Sequence, residues 1–523
     1  MNRLHIYYGS SRSCDHWHEG AGFVTSHVAL TLMFEQSMQA VNPSLSVPYW
    51  DFTVEGTFYT SDTFRKSSIF SDDWFGSAQP QNNMRTPDKG RFAYVPVMTN
   101  ASFYSNVWNS YGLMRAPWNS DRNPFMTRHD HLFGFPNNMK PSGCKEYKDT
   151  IGKENWMALS TALNTQAHGH VHELMGGSWS KDYGDISAKQ TSQILPFLHT
   201  IQAYTKNLWR AGYFTCPLHC ASNTPWKDCQ CTCDPDALAG KTPTEILQES
   251  GVLESAFFYD QYGNLIESFL DQQGDVYYTL PDHSLEETHK IFSELLNILC
   301  TPARIGTNYE ASSTNDIIFW VMHPTIDRAW HLSRLSNQDF NHTWVADHTC
   351  YGHNPDDIQP FHHLFPSGED KNDTKLYRQE IRASREKRNA AGRRRHPVDL
   401  SYHKNGAEGN FHANSATAIP GRSISTSSPS KKRLNSFSHG TLDPSRHTHF
   451  HDKTNKAANR FAVNGDELRE RLAKVQPMKE FYTNRDLYTH FDPDRVEMPY
   501  VYDNFQWPHC EAQGIDMEVG NIN

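Results

Sequence analysis

His168 and His172 lie four residues apart in the run His168-Gly169-His170-Val171-His172-Glu173-Leu174-Met175-Gly176-Gly177. A pair at i, i+4 on a helix shares one face, one turn apart. His323 lies in a second apolar run, Ile318-Phe319-Trp320-Val321-Met322-His323. A third imidazole from another helix closes the set into a three-nitrogen site of the kind that suits copper, zinc, iron or nickel. His5, His18 and His27 form a second trio near the start of the chain. Two imidazole trios with no thiolate or carboxylate among them point to two copper ions. The chain holds 29 His, so spacing carries the argument, not abundance.

These residues need helices to hold them. Phe23, His27, Leu30 and Phe34 repeat at helical spacing, which predicts a helix over 20–42, ended by Asn42-Pro43. A helix over 154–176 carries Trp156, Leu159, Leu163, His168 and His172 inward and stops at Gly176-Gly177. Residues 285–300 read as another helix, and 316–335 as the helix of His323. Residues 53–150, rich in Asn, Ser, Pro, Gly and aromatics, read as long ordered loops. The expected fold is mainly α: an antiparallel four-helix bundle around a binuclear copper centre, with a largely disordered C-terminal excursion.

The 523 residues carry a net charge of -10, which argues against nucleic acid as the main partner. No stretch is apolar enough to span a bilayer. Ten Cys, five of them between Cys216 and Cys233, read as a disulfide framework in an oxidising compartment. A zinc site is the competing reading, although the run lacks paired C-x2-C spacing. Sequons at Asn100, Asn341 and Asn372 fit secretion. The expected location is therefore secreted or within the secretory lumen, with the native signal missing from this chain, because His5 follows Met1 so closely.

The expected division places a copper domain over 1–345, interrupted by a Cys-rich insertion over 180–312. A C-terminal extension follows over 346–375. Residues 376–475 are basic and rich in Ser and His, too polar to offset chain entropy, and an aromatic segment over 476–523 packs back on the core. A Cys350–Cys510 bridge would hold that segment in place. Arg385-Glu386-Lys387-Arg388 reads as a processing site that releases a C-terminal shield, or as a solvated basic linker.

The copper-site runs resemble the tyrosinase, catechol oxidase and molluscan haemocyanin family of type-3 copper proteins. His168, His172, Gly176 and Gly177 match the first half of its second-copper pattern. Asp316, Phe319, His323, Asp327 and Arg328 match the second half. His18-Glu19, Phe23, His27, Phe34-Glu35 and Pro48-Tyr49-Trp50-Asp51 match the first-copper pattern, and His5 precedes a Tyr pair as in animal members. The resemblance implies His5, His18, His27, His168, His172 and His323 as ligands, with His16 as the alternative to His18. It implies Phe319, Asp327 and Glu35 as supporting residues, Asp327 by orienting a ligand imidazole. No catalytic side chain beyond the ligands is implied.

The departures bear on activity. Met322 replaces the first of two adjacent His, of which only the second binds metal in the family. Gly169 and Asn164 stand where other members hold a water that helps deprotonate a phenol. The resemblance therefore implies oxidation of o-diphenols to o-quinones with dioxygen more than hydroxylation of monophenols. A haemocyanin-like dioxygen carrier, or a non-catalytic relative, is the alternative. Glu173 reads as a solvated helix carboxylate or a base near the second copper, and His170 as a surface residue.

Overall fold

A computed structural model describes residues 1–132, 135–136, 139–179, 204–253, 266–270, 276–301, 303–336, 339–346, 349–362, 364–365, 481–493, 498–500, 502 and 504–517. Residues 376–475, with the basic run at 385–388, lie outside them, as does the sequon at Asn372.

The described chain is mainly helical. Helix α1 (Asn2–Gly9) carries His5, and α2 (Gly22–Gln39) carries His27. Two short helices interrupt the expected loop region, α3 (Thr53–Phe58) and α4 (Cys144–Ile151), too brief to leave a periodic signature. Helix α5 (Trp156–Ala162) and helix α6 (His170–Gly176) are separated by a π-helical turn, Leu163–Gly169. The expected single α-helix over 154–176 is thus broken at His168, an expected ligand. Such one-turn widenings commonly occur at functional sites. Helix α7 (Pro243–Glu249) and helix α8 (Leu285–Cys300) belong to the region before α9 (Ile317–Ser336), and α10 (Asn484–His490) follows late in the chain. Both α7 and α8 begin with a capping box, from Thr242 and Ser284.

Strands are short and paired in twos: β1 (His131–Leu132) with β2 (Phe135–Pro136), and β3 (Ser178–Trp179) with β8 (Arg304–Ile305). Strands β4 (Phe214–Thr215) and β5 (Thr232–Cys233) pair, as do β6 (Glu267–Leu270) and β7 (Val276–Thr279).

One apolar cluster joins α2, the α5–α6 run and α9, with Phe23, Leu30, Leu159, Leu163, Val171, Phe319 and Trp330 fully shielded. Leu487, Phe491 and Trp507 from the end of the chain belong to the same cluster. A second cluster gathers Tyr204, Leu208, Leu247 and the inner face of α8 around Leu295 and Leu299. The described parts of the 180–312 insertion therefore share a buried apolar cluster with Ile6, Met114 and Trp118, which its length in sequence did not reveal.

Five disulfides join the cysteines. Cys216–Cys231, Cys220–Cys229 and Cys233–Cys300 staple the Cys-rich stretch, which favours the disulfide reading over zinc. The expected Cys350–Cys510 bridge is absent. Cys350 pairs with Cys14, and Cys510 pairs with Cys144. Each late cysteine is instead tied directly to an early segment of the chain. The two C-terminal stretches meet one another through an isolated bridge between Ile358 and Thr483. Asn484 adds two amide bonds to the carbonyls of Gly352 and Asn354.

Candidate metal centre

Five of the six expected ligands, all but His323, are held through Nδ1 by an oxygen fixed in the fold. His5 Nδ1 lies 2.7 Å from the Ala311 carbonyl. His27 and His168 bond the carbonyls of Phe23 (2.9 Å) and Asn164 (2.8 Å), one turn back on their own helical segments. His172 bonds the Asn308 carbonyl. His18, on the loop before α2, lies 2.8 Å from the Asp15 carboxylate, which also accepts the backbone N–H groups of Trp17 and His18. Bonds of this kind set the tautomer and turn the Nε2 lone pair toward the centre.

Those Nε2 atoms converge. His5 Nε2 lies 3.2 Å from His27 Nε2 and 3.1 Å from His18 Nε2, and His168 Nε2 lies 3.0 Å from His172 Nε2. With the protons held on Nδ1, these are bare lone pairs facing one another, a repulsive arrangement without a cation between them. His323 is 3 % exposed, and neither of its nitrogens has a hydrogen-bond partner among the described residues. An unpartnered buried imidazole costs about 1–3 kcal/mol, which a metal bond would offset. Burial holds His5, His27, His168 and His323 well below the ordinary imidazole range, and His172 at about 4. All five are neutral near pH 7, the form that binds metal. The ligand atoms of His5, His18 and His27 fall within 4.8 Å of one another, as do those of His168, His172 and His323. Neutral imidazole sets of this kind suit copper, so the residues present fit the two ions expected.

His16, the alternative to His18, turns the other way and bonds the Tyr351 carbonyl at 2.7 Å. Cys14, two residues before it, is in the bridge to Cys350. Phe319 packs among the ligands, its ring centroid 4.0 Å from His323 and 5.1 Å from His5. Met322 is fully buried. Trp320 faces away, stacked on Phe34 at 4.2 Å.

Asp327 does not orient a ligand. Its Oδ2 accepts from the hydroxyls of Tyr500 and Tyr502, each at 2.6 Å, so it ties the chain's last segment to α9. Glu35 likewise touches no ligand: it accepts the Val47 N–H at 2.9 Å and positions the turn before Pro48. Trp50 in that turn donates its N–H to the Val321 carbonyl at 2.7 Å, two residues before His323. Arg328, beside Asp327, bonds the carbonyls of Asn504 and Gln506.

Sequence reasoning missed Asp15, Lys206 and Arg210, and matched Asp316 to the family pattern without giving it a partner. Lys206 Nζ lies 3.0 Å from Asp15 and 2.8 Å from Glu19, and Arg210 reaches Glu19 at 3.3 Å. Burial alone would raise the Asp15 carboxyl, but His18, Lys206 and Arg210 outweigh it and hold it well below its usual range. An Asp three residues before a ligand His was the one available signal. Asp316 accepts the Ile318 N–H at the start of α9 and takes two bonds from Arg128, at 2.8 and 2.6 Å, both residues fully buried.

A cleft of about 130 Å³ opens beside the ligands, lined by His18, His168, His172, Glu173, Lys206, Trp118 and Tyr309. Among the described residues, none beyond Ser313 lines it. Glu173 is not solvated as expected: it is 4 % exposed, with Oε1 accepting the Tyr309 hydroxyl at 3.0 Å. Burial pushes its carboxyl well above the usual range, against the Tyr309 bond. His170 is half-buried and lines the same cleft.

No helix among the described residues is long and apolar enough to cross a membrane. No curated protein matches the chain. Residues 1–197 match the family described as the common central domain of tyrosinase. That stretch contains five of the six imidazoles brought together here, and its match supports a likeness to the tyrosinase family of type-3 copper proteins over those residues.

Proposed function

We propose that the protein oxidises o-diphenols to o-quinones with dioxygen, using two copper ions held by His5, His18 and His27 and by His168, His172 and His323. When bound, the copper pair supplies the two-electron chemistry that links catechol oxidation to dioxygen. The observation that carries the reading is the convergence of protein-oriented Nε2 lone pairs beside an open cleft.

The chain's own residues orient and select. Trp118 offers an aromatic wall for a phenolic ring, while Glu173 and Tyr309 offer hydrogen-bonding groups for its hydroxyls. Lys206 closes the rim through its pairs with Asp15 and Glu19. The cleft provides little help in removing a phenol proton. The Asn164 amide is engaged with the His18 carbonyl at 2.6 Å, Gly169 has no side chain, and burial raises the Glu173 carboxyl well above its usual range. A general base must lie within reach and be deprotonated at working pH. Diphenol oxidation therefore fits better than monophenol hydroxylation.

The cleft also weighs against the dioxygen-carrier reading, which needs substrate access blocked. Copper content and oxygen uptake should be measured on one preparation, offered a catechol and then a monophenol. Two coppers in the trios with rapid catechol turnover and slow or no monophenol turnover is the expected result. Two coppers with reversible oxygen binding and no turnover would favour the carrier, and absence of copper would end both readings.

A further inference from the structure

We propose that His129, Asp130 and His131 form a third metal site, of the zinc or copper(II) class, separate from both trios. Their ligand atoms all lie within 4.8 Å of one another. His131 Nδ1 sits 2.9 Å from Asp130 Oδ1, and His129 Nδ1 sits 3.3 Å from the same oxygen. The two imidazoles stack with centroids 5.2 Å apart and planes 18° from parallel. Two imidazoles and a carboxylate are a common donor set for zinc, with a further position left for water.

A second observation points to a ligand. His129 is 8 % exposed, and its Nδ1 has no hydrogen-bond partner despite its nearness to Asp130. A buried nitrogen aimed at a shared carboxylate oxygen is explained by an ion between them. Burial, against the pull of Asp130, also lowers the His129 imidazole to about 4, so it is a neutral donor near pH 7. The side chain of His131 is 36 % exposed, which gives an ion a route in. Asp130 Oδ2 is additionally bonded by Gln79. The guanidinium groups of Arg65 and Arg85 lie close enough to act on the group electrostatically and oppose a cation. The site must therefore be weaker than the same donors would be without them.

Its place in the fold suggests what it does. The His129 N–H bonds the Gly176 carbonyl at 2.9 Å, at the end of the helix bearing His172. Arg128, one residue earlier, bonds Asp316 at the start of the helix bearing His323. An ion at 129–131 would stiffen the segment that joins the two halves of the second trio, acting as a brace and taking no part in the oxidation.

The test uses the full chain loaded with zinc(II) or copper(II), compared with His131→Gln, a half-exposed position where the fold should tolerate change. Elemental analysis should find one metal ion fewer per chain in the variant. A mononuclear copper(II) signal in electron paramagnetic resonance, which a coupled copper pair does not give, should be lost with it. His129→Gln should behave alike if it folds. Equal metal content and equal copper(II) signals in wild type and His131→Gln would overturn the proposal, whatever the state of the two trios.

Discussion

His27 and His323 stack across the two trios, their ring centroids 4.8 Å apart and their planes 14° from parallel. The contact joins a ligand of the first expected copper to a ligand of the second, so the trios share a wall. Replacing His323 with Ala should remove one copper per chain while leaving the first trio's nitrogens in place. Copper content before and after dialysis against a weak chelator reads this directly. Loss of both ions would show that the shared wall, not each trio alone, sets affinity.

Asp15 holds His18 and is itself held by Lys206. Removing a carboxylate that orients a metal-bound imidazole commonly costs about 10–100-fold in metal affinity. Asp15→Asn should weaken the first copper by that order, seen as earlier release in a chelator titration. Lys206→Met should have a smaller effect in the same direction, since it acts only through Asp15. An unchanged titration for Asp15→Asn would reduce Asp15 to a loop-shaping residue.

Tyr500 and Tyr502 both donate to Asp327. Hydrogen bonds to a charged group contribute about 1.5–3 kcal/mol each. Tyr502→Phe should lower the unfolding free energy by that order, and the Tyr500→Phe, Tyr502→Phe double variant should lose less than twice as much, because both hydroxyls share one oxygen. Urea unfolding midpoints measure both. Copper content should not move in either variant, which separates this role from the expected one of orienting a ligand.

The metal-free protein should lose stability in mild acid. Burial lowers His172 and His129 to about 4, and holds His5, His27, His168 and His323 well below the ordinary imidazole range. In the unfolded chain these groups titrate near pH ~6.5. Below that the unfolded chain binds more protons than the folded one, so stability falls as pH falls. For His172 and His129 the fall runs from about pH 6.5 to about pH 4. Buried Glu173, raised by desolvation, acts in the opposite sense. Thermal midpoints of chelated protein should decline over this window, and more steeply in Glu173→Gln. A flat profile in the variant would contradict the burial argument.

That His168, His172 and His323 come together was legible because imidazole spacing repeats with the helix. His168 and His172 are one turn apart, and His323 sits at a fixed offset from Phe319 and Asp327. What orients those imidazoles was not legible. Four of the five oxygens that accept their Nδ1 protons are main-chain carbonyls, those of Phe23, Asn164, Asn308 and Ala311. A carbonyl leaves no residue type to recognise. Lys206 is invisible for another reason: it meets Asp15 across 191 positions, and no local pattern encodes that pairing. The π-helical turn at His168 reflects tertiary packing winning over a sequence that reads as continuous α-helix. Asp327 misled because a carboxylate one turn after a ligand can point at either of two neighbours.

The Cys144–Cys510 bridge spans the basic run at 385–388. A protease that cuts once there would make two polypeptides but not two particles. The nicked protein would migrate as one species without reductant and as two with it. Liberation of any C-terminal piece by a single cut would thus also require thiol chemistry, which makes the redox state of the surroundings, not the protease alone, the arbiter of whether that piece departs.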